Sequence, residues 1–520
     1  MDRQRFLIPA LALLTVWRLA LLPTIELSPD EGLAWFYAQH PALWHLEMGP
    51  LLPWLARLGT WIAGESALGV RLFAPLFALA ATLCLWRLTR GLLGLGAAAW
   101  AVLLLQVLPS FNVAAITLTS SIVGMAFVLG LMVALRHALH RAAAWNLGWW
   151  LAALCLLGAI LTDWRYAFAY GSTALALGVP GRRRHHLRAP GFLLISAAFV
   201  VGMGLMAGWN ASLGWPVWES GEGEPVWALF PNLLRWMLLL SPLVLTLLVW
   251  ALGRHLPRWR GFNADEWLLP CFMIPFAMLD FGWGPRERWP HMGFVFWLAP
   301  AMALLADQTL VELRLEMQRK VLLRTAAILV AALQSMVLMR TDQLRSLGVV
   351  WPFQKQAAYG LDYRQFLWAD PAGGMRGWKQ GAEVLHGVLT GIHTPGQPEW
   401  FVIARHWPLA VALERELPAD APLWRLDPAH PRVQVIQTAE RRSPHALLPR
   451  YDLQLADGTS EFAGRHALYI TDDTPMRPPS EIRNAFERTE IISLARLMHG
   501  GQEVRTIKIF ACYSYKPPDL

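Results

Sequence analysis

The chain has 520 residues, of which 55% are hydrophobic and only 16% charged, with 28 tryptophans and a formal net charge of +8. This balance excludes an ordinary soluble globular protein and indicates a polytopic α-helical membrane protein. Nucleic acid is not the expected partner either, because the basic residues fall in short clusters between apolar runs, where membrane orientation places them.

The first apolar run, Phe6 to Leu22, follows Met1-Asp2-Arg3-Gln4-Arg5 and lacks a small-x-small cleavage site, so it reads as a retained anchor. Directly after it stands Ser28-Pro29-Asp30-Glu31. Two adjacent carboxylates this close to a span are costly to desolvate and read as a functional site, with a solvated loop or the start of a helix as the plain alternative. The loop continues through Trp35, Phe36, Tyr37, Trp44 and Glu47-Met48-Gly49-Pro50. Then Leu51, Leu52, Trp54, Leu55, Leu58, Trp61 and Ile62 recur at helical spacing, the pattern of a helix lying in the membrane interface.

Apolar runs of about 17–25 residues predict spans near 6–23, 68–86, 92–109, 113–135, 146–161, 164–179, 191–208, 228–252, 266–283, 291–306 and 321–339, about eleven helices in all. Arg3 and Arg5, Arg87 and Arg90, Arg136 and Arg141, Arg182 to Arg184 with Arg188, Arg254 with Arg258 and Arg260, and Arg314 with Arg319 and Lys320 then share one side, read as the cytoplasm. The opposite side receives the outer loop 24–66 with Asp30 and Glu31, the segment Gly284 to His291, and everything after Met339. An odd number of spans is consistent with that placement.

Residues 1–340 therefore read as a multi-spanning domain and 341–520 as a small α/β domain on the outer side. In the latter, Trp400 to Ala404, Pro422 to Leu426 and Ala467 to Ile470 are expected strands and Pro408 to Glu416 an expected helix. Glu490 to Leu497 and Val504 to Tyr513 flank Gly500-Gly501 as a hairpin would. The four cysteines imply no disulfide framework.

In order along the chain, Asp30-Glu31, Glu47-Met48-Gly49-Pro50-Leu51, Gly69-Val70-Arg71-Leu72, Leu161-Thr162-Asp163-Trp164, Trp209-Asn210, Trp289-Pro290-His291 and Asp370-Pro371 with Arg376-Gly377-Trp378 resemble the multi-spanning GT-C glycosyltransferases. The likeness is to the bacterial branch that includes the lipid A aminoarabinose transferase and related protein-mannosyltransferase-like enzymes. It implies an inverting transferase that takes a sugar from a polyprenyl-phosphate donor at the periplasmic face of the bacterial inner membrane. The acceptor would be a lipid A-like glycolipid, a polysaccharide or a protein.

A hydroxyl acceptor benefits from a carboxylate that takes its proton, and the resemblance places Asp30 in that role, with Glu31 beside it as a second catalytic candidate or as the residue that orients the loop. A lipid phosphate leaves as an anion and needs positive charge to receive it; Arg71, Arg286 and Arg288 are the candidates, because guanidinium pairs bidentately with phosphoryl oxygens. Snorkelling at the interface is the plain alternative for each of the three. Glu47 and His291 would hold a divalent metal ion if one is used.

Two positions depart from the family pattern. Thr119-Ser120-Ser121 stands where relatives carry a second acid, and Met48 where many have Lys or His. They keep two other classes open: a lipid flippase or transporter, which would place charges near the bilayer midplane and often show two related halves, and a non-catalytic lipid-binding subunit of the envelope.

Overall fold

The computed structural model describes residues 7–141, 145–213, 215, 253, 263–282, 298–306, 317–339, 376–394, 399–425, 431–435, 461–472, 476–499 and 502–516. The chain divides into two compact units, one of Met1–Pro23, Pro41–Trp215 and Gly221–Leu338, the other of Thr24–His40, Pro216–Ser220 and Met339–Leu520.

The first unit is helical. Its chain begins with α1 (Leu7–Leu21); α2 (Pro29–Gln39) belongs to the second unit. There follow α3 (Leu51–Ala63), α4 (Ala67–Arg71), α5 (Phe73–Val107), α6 (Pro109–Ala114) and α7 (Ser120–Leu139). Next come α8 (Leu147–Thr162), α9 (Phe168–Gly178), α10 (Pro190–Ser212), α11 (Leu268–Gly282), α12 (Leu298–Leu305) and α13 (Met317–Met339). Among the described residues, Ala67–Val107, Ser120–Leu139 and Pro190–Ser212 are long and apolar enough to cross a membrane, and Leu147–Thr162, Leu268–Ala277 and Leu322–Gln334 are shorter apolar helices. The chain is a membrane protein. The expected span 228–252 and residues 291–297 of the span 291–306 lie outside the described residues.

The expected spans 68–86 and 92–109 meet inside α5 at Gly94, whose φ of +89° and ψ of 178° lie where an L side chain is not tolerated. The span expected over 113–135 requires correction. α6 ends at Ala114, Thr119 is extended, and the helix restarts at Ser120 and runs to Leu139. The break lies beside a polar node. Asn112 donates through Nδ2 to the Gln106 carbonyl at 2.6 Å and to Gln334 Oε1 at 2.8 Å, and its Oδ1 accepts from Arg18 at 2.6 Å. Such side-chain bonds compete with helix continuation.

α3 is two-faced: Leu52, Ala56, Gly59 and Thr60 are buried, whereas Trp54, Leu58, Trp61 and Ile62 are exposed. All four cysteines are free thiols.

The second unit contains a five-stranded mixed sheet. Its described C-terminal elements are α14 (Trp378–Ile392), β1 (Phe401–Ala404), α15 (Trp407–Glu416), β2 (Val433–Val435), β3 (Ala467–Thr471), α16 (Ser480–Ala485), β4 (Phe486–His499) and β5 (Gln502–Tyr515). The strand order is β2-β1-β3-β5-β4, with β1 parallel to β2 and β3 and with β5 antiparallel to β3 and β4. Successive side chains of β1 point to opposite faces. Val402 and Ala404 join the cluster under α14 and α15 with Trp378, Leu385 and Leu413, while Phe401 and Ile403 join Phe462, Tyr469 and Phe510.

The strand expected over 422–426 is corrected to a single parallel bridge between Trp400 and Leu423. Only Trp424 N–H continues the pairing, donating to the Trp400 carbonyl at 3.0 Å, and Pro422 has no N–H to contribute to a ladder.

Candidate active site

Ser28-Pro29-Asp30-Glu31 builds the start of α2. Ser28 is the N-cap in extended conformation, Pro29 takes the first turn where its missing N–H costs nothing, and the two acids occupy the rest of that turn. The capping box is closed: Glu31 N–H donates to Ser28 Oγ at 3.4 Å, and Ser28 N–H donates to Glu31 Oε2 at 2.9 Å. Glu31 is fully buried by this use, whereas Asp30 is half-buried at the same helix end. The two neighbouring carboxylates thus have different surroundings.

Within the second unit α2 packs against α15, and the contact is close. A Cβ at Gly32 would stand 3.1 Å from Val411 Cγ1. Ahead of the helix, Glu26 accepts the Trp378 N–H through Oε2 at 2.7 Å. Burial pushes the Glu26 carboxyl upward against the pull of that N–H. The Arg505 guanidinium lies 3.6 Å from the centre of the Trp378 ring and pairs with Asp472. Asp472 also meets His406 Nε2 at 2.6 Å, and His406 caps α15 by accepting the Leu409 N–H at Nδ1. Because Nδ1 accepts, the Nε2–H faces the carboxylate. Burial alone would raise Asp472, but the Arg505 guanidinium and the hydrogen bonds from His406 and Arg505 outweigh it and hold the carboxyl well below the usual range. Contacts therefore run in a circuit from α2 through Trp378, Arg505, Asp472 and His406 to α15 and back to α2. Of its members beyond α2, Trp378 stood out in the sequence within Arg376-Gly377-Trp378, whereas Arg505, Asp472 and His406 are unremarkable residues until the fold brings them together.

The other candidates lie in the first unit. The Glu47-Met48-Gly49-Pro50 stretch is docked on the end of α8, where Gly49 N–H donates to the Thr162 carbonyl at 2.9 Å. A Cβ at Gly49 would stand 2.0 Å from the Leu161 carbonyl oxygen, so only glycine permits this approach. Glu47 is half-buried and His45, two residues earlier, is buried; the sequence reading passed over His45 as part of a Trp-rich loop. Next to the docking point, Asp163 pairs with Arg165 through Nε at 2.9 Å, the local pairing expected of two residues so spaced. Arg71 closes α4 fully buried and donates from Nη1 to the Leu22 carbonyl at 3.2 Å, tying the end of α4 to the residue that follows α1.

Arg286, Arg288 and His291 lie outside the described residues. Among the described residues no three His, Cys, Asp or Glu side chains stand together as metal ligands, so Glu47 and His45 do not by themselves make a metal centre. Thr119 Oγ1, at the start of α7 where the second acid is absent, is buried with no hydrogen-bond partner among the described residues.

Residues 40–209 match the family model described as dolichyl-phosphate-mannose-protein mannosyltransferase. The fold is that of ArnT from Cupriavidus metallidurans. Its apo structure is 14% identical and superimposes with a TM-score of 0.59 over 98% of both chains, and its structure bound to undecaprenyl phosphate is 16% identical at the same score and coverage. A more distant similarity is to the archaeal oligosaccharyltransferase AglB from Archaeoglobus fulgidus, 11% identical, with a TM-score of 0.43 over 81% of this chain and 65% of that one. No curated protein matches the sequence. The chain accordingly has GT-C architecture and resembles ArnT over nearly its whole length.

Proposed function

We propose that this chain of GT-C architecture is an inverting glycosyltransferase that moves a sugar from a polyprenyl-phosphate donor to an envelope acceptor at the periplasmic face of the bacterial inner membrane. The observation that supports this best is the α2 start, where Glu31 is spent on the capping box while Asp30 presents a second carboxylate in the same turn. In this reading the acceptor O–H gives its proton to Asp30 as its oxygen bonds to the anomeric carbon. The bond from that carbon to the phosphate oxygen breaks on the opposite side, and the lipid phosphate departs with the electron pair. Configuration is inverted in one displacement.

Glu31 orients Asp30 through the cap. Arg71, Arg286 and Arg288 are our candidates to receive the phosphate charge. Glu47 and His291 remain the candidates for a divalent ion, which would supply Lewis-acid charge there. The C-terminal α/β domain would stand on the periplasmic side and bear on the acceptor.

The experiment is sugar transfer from a panel of radiolabelled polyprenyl-phosphate sugars to total envelope acceptors, in membranes holding wild type or Asp30→Asn at equal abundance. Label that appears with wild type and disappears with Asp30→Asn supports both reaction and base. A second reading, a lipid-binding subunit without turnover, is favoured by Ser120-Ser121 at the start of α7, where the resemblance calls for an acid. It gains if neither protein moves label from any donor while both bind polyprenyl phosphate.

A further inference from the structure

The basic residues at the end of α7 and the middle of α5 do more than mark a membrane orientation. Arg87, Leu88, Val133, Arg136, His137 and His140 line an open cleft of about 240 Å³. Four of these six are cationic or protonatable, and the other two give the cleft an apolar floor. Arginines that merely terminate a span would be solvated and independent of one another. Here the Asp265 carboxylate ties two of them, Arg136 and His140, together. Asp265 meets His140 Nε2 at 2.6 Å and Arg136 Nε at 3.3 Å, and pairs with Arg183 as well.

Arg136 is further fixed by donating from Nη2 to the Gly91 carbonyl at 2.9 Å, and Arg183 by donating from Nη1 to the Ala264 carbonyl at 2.8 Å. The other nearby acid, Glu266, turns back to accept the Asn263 N–H at 3.1 Å. Arg87 and Arg136 line the cleft and, among the described residues, no acid does; beside it Asp265 is balanced by Arg183, so two positive charges remain at the cleft. Guanidinium groups beside apolar Leu88 and Val133, at the end of the apolar helix Ser120–Leu139, match a phosphodiester with acyl chains beneath it.

We propose that this cleft binds the headgroup of an anionic phospholipid, on the side of the membrane opposite the sugar-transfer site proposed above. The same phosphate chemistry is offered by a free anion; the apolar floor and the position at the ends of the spans select the lipid. The proposal does not depend on transferase activity.

The test is native mass spectrometry of the full chain released from detergent micelles after addition of phosphatidylglycerol or phosphatidylcholine, with wild type and with Arg87→Gln combined with His137→Gln. Both substituted residues sit at the cleft surface, and an unchanged melting temperature confirms that the variant folds. Wild type retains phosphatidylglycerol at least about tenfold over phosphatidylcholine, and the variant loses most of that preference. Equal retention of the two lipids by wild type, or a preference that survives both substitutions, overturns the proposal. Millimolar inorganic phosphate separates the sources: lipid that stays bound supports a headgroup site, and lipid fully displaced by phosphate overturns it in favour of a soluble anion.

Discussion

Glu26 Oε2 accepts the backbone N–H of Trp378 at 2.7 Å, joining the segment that leads into α2 to the first turn of α14 across 352 positions of sequence. The proposed base thus sits four residues from a bond made by the C-terminal sheet domain. The segment leading into α2 is held by this domain as much as α2 is by its capping box.

The bond has a pH signature. Burial raises the Glu26 carboxyl above its unfolded value, so the folded state holds the proton more tightly than the unfolded one. Stability therefore falls as pH rises from the unfolded carboxylate value through the raised folded value, and the penalty is complete above it. Glu26→Gln keeps an acceptor for Trp378 and removes the charge. Thermal melts of the two proteins across that window are expected to converge at its acid end, with the variant the more stable above it.

Asp472 behaves oppositely. Although burial acts to raise it, the Arg505 guanidinium and the hydrogen bonds from His406 and Arg505 depress it, so its contribution to stability is present above the unfolded aspartate value and is lost as pH falls through the lower folded one. Asp472→Ala leaves the buried Arg505 without its carboxylate, which costs about 3–5 kcal/mol by the usual cost of breaking a buried pair. Denaturant unfolding would register this as a lower midpoint. Hydrogen exchange in Ser28–Tyr37 is expected to rise with it, because the circuit supports α2, whereas exchange in α10 is expected to hold steady.

The two acids of α2 are expected to separate in their effects. Asp30→Asn lowers sugar transfer by about 10²–10⁴-fold and leaves the melting temperature near that of wild type. Glu31→Ala opens the capping box and destabilises by about 1 kcal/mol, with a smaller loss of transfer. Equal losses of stability in both variants would contradict this division of roles.

Gly49→Ala brings a methyl group against the Leu161 carbonyl, 2.0 Å from where its Cβ would sit, and backbone on both sides has little room to yield. Overpacking of this kind costs about 1–3 kcal/mol. Because the displaced segment carries Glu47, limited proteolysis between α2 and α3 is expected to accelerate in the variant even where the protein still accumulates in membranes.

Much of this was legible in the sequence because its causes are local. A run of some 20 apolar residues can hide its backbone polar groups only as a helix, so α7, α8, α10 and α13 are visible in composition, and Ser28 followed three residues later by Glu31 is a helix start wherever it occurs. Short continuous apolar runs likewise marked β1 and β3, which are buried on both faces, and Gly500-Gly501 between two strand-like runs marked the β4–β5 hairpin.

Other features came only from tertiary structure. The break between α6 and α7 occurs beside the node that Asn112 makes with Arg18 and Gln334, partners 94 and 222 positions away. The circuit from Glu26 to His406 joins residues that carry no common pattern, and the cleft at Arg136 is organised by Asp265, which enters from a different segment. Hydrophobic periodicity is a property of neighbours along the chain, whereas a buried polar group finds its compensating partner wherever folding brings one within about 3 Å, at any sequence separation.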